Sequence, residues 1–140
     1  MLVLFTDFGC CGPYVGQMKA AIYQVNPAVT IVDLFSNAPG FNPRACSYLL
    51  AAHSHYFPWG TIFVCVVDPG VGTDQREPVV AEIDGQYFVG PNNVIFDVLA
   101  KQSKSALISE KLWRPASLSQ PFHGRDLFAP VAGYLSLGES

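Results

Sequence analysis

One run of residues constrains this chain more than any other. Thr61-Ile62-Phe63-Val64-Cys65-Val66-Val67 is almost continuously apolar. A strand with one wet face alternates apolar and polar residues. A run without alternation predicts a strand buried on both faces, which is typical of a parallel sheet covered by helices. Leu2 to Thr6 reads the same way. Between these two runs, Tyr14 to Val25 predicts a helix, with Val15, Met18, Ile22 and Val25 on its apolar stripe and Asn26-Pro27 as its stop. Val29 to Phe35 predicts a second strand. Pro43 suits the first turn of a helix reaching about His55, with Ala45, Leu49 and Ala52 on its inner face. Beyond the long run, Val79 to Ile83 and Gln86 to Val89 flank Asp84-Gly85, a hairpin signal. Pro91-Asn92-Asn93 opens a helix over about Val94 to Lys101. Ala106 to Ser109 predicts a short strand, and Asp126 to Leu135 a last helix with Pro130 in its first turn. Strands alternating with helices predict one α/β domain over residues 1–140. Its architecture is Rossmann-like, in three layers, with a largely parallel central sheet plus a β-hairpin.

Composition narrows the partners. Half of the 140 residues are hydrophobic and 14% are charged, which excludes a disordered chain. The formal net charge is -3 and no basic stripe is present, so nucleic acid is not an expected partner. No apolar run approaches the ~18 residues of a membrane span. Met1 to Asp7 contains no basic segment ahead of an apolar one, so a cytoplasmic location is expected. Cys10, Cys11, Cys46 and Cys65 show no disulfide-scaffold or metal spacing and are expected to be reduced, structural thiols.

In open α/β sheets, ligands bind beyond the carboxyl ends of the strands. Three polar clusters fall at or near such ends: Thr6-Asp7-Phe8-Gly9, Asp68-Pro69-Gly70-Val71-Gly72 and Phe122-His123-Gly124-Arg125-Asp126. Each also has a plain structural role open to it. Asp7 can cap a turn, and Asp68-Pro69 can start one. Arg125 and Asp126 can form a local pair and a helix cap. Other patterns are discarded. Asp7-Phe8-Gly9 has no kinase lobe before it. Asp68 to Thr73 lacks the Gly-Lys-Ser/Thr of a P-loop. His53-Ser54-His55 has no further ligands, so no metal site is expected.

Taken in order, the clusters carry a resemblance. Thr6-Asp7-Phe8-Gly9 and Gly12-Pro13-Tyr14-Val15-Gly16-Gln17-Met18-Lys19 come first, then Val32-Asp33-Leu34. Phe57-Pro58-Trp59-Gly60-Thr61 follows, running into Val66-Val67-Asp68-Pro69-Gly70-Val71-Gly72. Pro91-Asn92-Asn93 and Phe122 to Pro130 complete the series. Together they resemble the S-adenosyl-L-methionine (SAM) hydroxide adenosyltransferases, or SAM hydrolases, relatives of the fluorinating and chlorinating SAM enzymes. The resemblance implies attack of water on the ribose C5′ of SAM, giving adenosine and L-methionine. It implies Asp68, Arg76 and His123 as the catalytic set. His123 would accept the proton, and Asp68 and Arg76 would orient the water. It implies Asp7 on the ribose hydroxyls, with Tyr14 and Asn93 near the ligand. SAM is then the substrate, with no cofactor and no metal.

The same resemblance marks departures. Gln75 stands where the arginine usually falls, so Arg76 implies a one-residue insertion. Val94 replaces a usual glycine after Asn93, and Phe35-Ser36 stands in place of a Thr-His. The family also carries a second, mostly β domain after this one, which completes the pocket and belongs to a homotrimer; the chain given ends before it. Some of the chain's apolarity is accordingly expected at surfaces for that domain or for neighbouring subunits. Two other readings are weighed against hydrolysis: a truncated, non-catalytic remnant or SAM/nucleoside-binding module, and halide-dependent adenosyl transfer.

Overall fold

The computed structural model describes residues 1–9, 11–40, 42–67, 78–91, 94–109 and 127–138. Among the described residues, six strands form one sheet. They are β1 (Leu2–Thr6), β2 (Ile31–Phe35), β3 (Ile62–Val66), β4 (Pro78–Ile83), β5 (Gln86–Pro91) and β6 (Ala106–Ser109), in the order β2-β1-β3-β5-β4-β6. β1 pairs parallel with β2 and β3, and β3 pairs parallel with β5. Only β4 runs against its neighbours, antiparallel to both β5 and β6. The expected Rossmann-like sheet with an inserted hairpin is therefore the observed one.

Strand alternation builds two cores from one sheet. Leu2 and Leu4 of β1 join Ile62, Val64 and Val66 of β3 on one face. That face is covered by helix α1 (Tyr14–Val25), through Met18 and Ile22, and by α4 (Ala129–Ser136), through Ala129, Val131 and Ala132. Val3 and Phe5, with Phe63, Cys65 and Val67, point to the opposite face. There they meet α2 (Pro43–Ser54), through Cys46 and Leu50, and Ile95 and Phe96 of a short 3-10 turn leading into α3 (Asp97–Gln102). β1 and β3 are buried along their whole lengths, as strands with helices on both sides must be.

Local chemistry explains the boundaries. Asp84 (φ 49°) and Gly85 (φ 82°) both take the left-handed conformation that a two-residue hairpin turn demands. Asp84 does a second job: its Oδ1 accepts from the backbone amides of Lys104 and Ser105, at 3.0 and 2.9 Å, fastening the start of β6 to the hairpin. Asn42 caps α2 by accepting from the Ala45 amide at 3.0 Å, ahead of Pro43 in the first turn.

Three details depart from expectation. The inner face of α2 is Cys46, Ser47, Leu50 and Ser54; the expected Leu49 packs against the same core, partly buried, and Ala52 is exposed. The helix turns this way because the buried Ser47 hydroxyl accepts from the Val98 amide (3.1 Å), satisfying a free N–H at the start of α3. The helix expected over Val94 to Lys101 begins instead as the 3-10 turn Val94–Phe96. The last helix opens as a π turn at Leu127 and Phe128 before α4, with Pro130 in the first turn of α4; Asp126 lies outside the described residues.

Candidate active site at the β1–β3 divide

β1 connects to β2 on one side of the sheet, and β3 lies on the other side of β1. The chain thus reverses its direction of travel between β1 and β3, past whose carboxyl ends the two connections diverge. This is where ligands bind in open α/β sheets. Thr6, the last residue of β1, stands beside Val66, the last of β3. The sequence carries Asp7 immediately beyond the first strand and Asp68 two residues beyond the second.

Backbone hydrogen bonds tie the loop ends around Asp7. The Ala38 amide donates to the Thr6 carbonyl (2.9 Å), and the Gly9 amide to the Ser36 carbonyl (2.6 Å). The β1–α1 and β2–α2 connections are therefore laced together. Gly40 lies against the Asp7 carboxylate: a Cβ placed on it would sit 3.7 Å from Oδ2. On the other flank the Phe8 and Tyr14 rings meet edge to face, with centroids 6.2 Å apart. Tyr14 opens α1 and is half exposed. Asp7 and Tyr14 thus belong to one connection, with Phe8 between them. Asp68, Arg76, Asn93 and His123 lie outside the described residues.

Sequence reasoning missed the neighbourhood of Cys46. Its thiol is fully buried and donates to the Pro39 carbonyl at 3.3 Å. Burial, and secondarily the negative charge of Asp7, push this thiol up to about 11, from an ordinary 9.0. Cys65, in the middle of β3, is pushed up in the same direction, chiefly by burial. Neither is a poised nucleophile, as expected of structural thiols. A pH effect follows. The unfolded chain releases the Cys46 proton near pH 9, whereas the fold holds it to about pH 11. The stability this thiol confers is therefore complete below pH 9 and is lost as pH climbs through that window. Denaturant midpoints measured from pH 8 to pH 11 should fall with rising pH, and the fall should be shallower in Cys46→Ala.

The histidines set aside as a metal pair are occupied otherwise. The His53 ring packs edge-on against Phe35 (5.4 Å), and His55 lies against Tyr56 (4.3 Å). Among the described residues, no three His, Cys, Asp or Glu side chains converge as metal ligands do.

The family model for the SAM hydroxide adenosyltransferase N-terminal domain matches residues 2–140. The chain belongs to that family. Among the family's curated members, the (R)-S-adenosyl-L-methionine hydrolase of Thermus thermophilus is 36% identical over 145 residues, covering 95% of this chain and 55% of the hydrolase. The hydrolase of the same name from Methanocaldococcus jannaschii is 34% identical, covering 94% of this chain and 51% of its own length. A fluorinase from an Actinoplanes species is more distant, at 20% identity across 99% of this chain. The crystal structure of an uncharacterized conserved protein from Thermotoga maritima superposes with a TM-score of 0.86 and 37% identity, over all of this chain and 55% of the other. The chain spans about half the length of the curated relatives it matches.

Proposed function

We propose that this chain is the catalytic half of a SAM hydrolase, the half that holds and activates the attacking water. The observation that carries the proposal is the placement of Asp7 at the carboxyl end of β1, at the point where the strand order reverses, in a chain whose relatives at 34 to 36% identity are named SAM hydrolases. A carboxylate there accepts from both ribose hydroxyls and fixes the sugar. Tyr14 and Asn93 would border the ligand.

The chemistry asks little of the leaving group. Water oxygen forms a bond to C5′ while the C5′–S electron pair moves onto sulfur. The sulfonium departs as the neutral thioether of L-methionine, so no general acid is required. The difficulty lies with the nucleophile, which must be held in line with the C5′–S bond and lose a proton. The proposal gives the proton to His123 and the orientation of the water to Asp68 and Arg76. SAM enters as substrate, and no cofactor takes part. A homotrimer, completed by the second half that the relatives' length implies, and a cytoplasmic location belong to the same proposal.

The test is direct. The full gene product incubated with SAM should release adenosine and L-methionine in equal amounts, with no 5′-halo-adenosine when chloride is supplied. His123→Ala should lower kcat by roughly 10²- to 10⁴-fold, the usual worth of a positioned acid–base group, and Asp68→Ala should lower it by about 10²-fold through lost orientation of the water. Tight SAM binding without product would identify a binding module instead.

A further inference from the structure

The end of β1 holds a polar group that the proposed mechanism does not use. Thr6 is the one hydroxyl-bearing residue in Leu2–Thr6 and is 0% exposed. Its backbone is committed: it stands in register with Val66, and its carbonyl takes the Ala38 amide. Its Oγ1 is buried and has no hydrogen-bond partner among the described residues. By strand alternation the side chain shares the α1/α4 face with Leu2 and Leu4, whereas Asp7 follows on the other side, toward Gly40 and Cys46. Branching at Cβ restricts its rotamers, so the hydroxyl cannot swing freely to find company. Valine would fill the same volume without an orphaned polar atom. A buried, unpaired hydroxyl destabilises a fold, and such groups call for an explanation where they occur. This one sits at the reversal point of the sheet, one residue from the candidate ribose carboxylate.

We propose that Thr6 is a positioning residue of the occupied site: its hydroxyl, without a partner among the described residues, is satisfied when substrate is bound. This rests on the SAM reading above. The partner is an oxygen or nitrogen at the β1–β3 divide, supplied either by SAM itself or by the attacking water. The two consecutive residues then grip the occupied site from opposite faces of one strand end.

Thr6→Val tests this with two readouts of opposite sign. The free variant should melt about 3–6 °C higher than the wild type, because an orphaned polar atom is gone. Its catalysis should nevertheless fall by roughly five- to tenfold. A rise in KM identifies SAM as the partner, and a fall in kcat identifies the water. Thr6→Ser, which keeps the hydroxyl, should restore the kinetics. A lower melting temperature in Thr6→Val would show that the hydroxyl is already paired in the free protein and would overturn the proposal. Unchanged kinetics would overturn it as well. If the wild type itself neither binds nor cleaves SAM, the SAM reading fails and takes this inference with it. A wild type that turns over beside an unaltered Thr6→Val defeats the inference alone.

Discussion

Replacing Asp7 with alanine should lower kcat/KM for SAM by about 100-fold or more. Two charge-assisted hydrogen bonds to the ribose are lost, each worth roughly 1.5–3 kcal/mol. Asp7→Asn keeps the volume and one acceptor but removes the charge, so its loss should be smaller, on the order of tenfold. Either change should weaken adenosine binding as well, because adenosine carries the same two hydroxyls. A structural account of Asp7 as a turn residue predicts no such loss of nucleoside affinity. A second readout reports on the site without any ligand. The Asp7 charge is the lesser of two causes raising the Cys46 thiol. In Asp7→Asn the thiol should therefore titrate lower than in the wild type, yet still above its ordinary value because burial remains. The decline in stability above pH 9 should become shallower accordingly. Thiolate absorbance followed against pH, with the other cysteines replaced, measures this. A variant that keeps the wild-type thiol titration would show that the Asp7 charge does not act on Cys46. Wild-type kcat/KM in Asp7→Ala would remove Asp7 from the substrate site altogether.

What the sequence makes legible here is the set of features decided by near neighbours in the chain. The unbroken apolar runs of β1 and β3 announce burial on both faces, Asp84-Gly85 announces its turn, and Met18 and Ile22 announce the inner stripe of α1. What it hides is decided by residues distant in the chain. α2 turns Ser47 inward because an amide at Val98 needs an acceptor, a requirement invisible within Pro43–Ser54. Gln86 donates to the carbonyls of Ser54 and Phe57, closing the end of α2 from the hairpin, and nothing near Gln86 foretells it. The candidate site divides in the same way. Asp7 was visible because it ends a strand, and Tyr14 because it opens a helix. The apposition of Asp7 and Cys46 was not, since it depends on how the 36–40 loop folds back over β1. Thr6 leaves one readable trace, a lone hydroxyl in an apolar strand, but only its lack of a partner among the described residues gives that trace meaning.

Gly90→Ala should destabilise the fold by more than about 3 kcal/mol, the range of severe overpacking in a core. Gly90 lies in β5 opposite Val79 of β4. A Cβ added there would collide with the backbone carbonyl oxygen of Cys65 and sit 3.3 Å from Cζ of Phe96. The first obstacle is what makes the effect large. Cys65 belongs to β3, which is held between β1 and β5, and its carbonyl cannot withdraw without loosening the parallel ladder on one side or the other. Gly85 makes the informative contrast. It has a positive φ, and a Cβ there would meet Trp59, but that indole is 83% exposed and can swing into solvent. Gly85→Ala should therefore cost only about 1–2 kcal/mol, the strain of a left-handed backbone carrying a Cβ. The distinction extends to function. β3 leads directly toward Asp68, and β5 toward Asn93, so a displaced Cys65 carbonyl disturbs the sheet edge on which the proposed site is built. Gly90→Ala should lose SAM turnover at temperatures where it is still folded, whereas Gly85→Ala should keep it. Denaturant midpoints and turnover measured together on the two variants decide the matter. Equal and small destabilisation in both would mean that the Cys65 carbonyl stands further from Gly90 than described.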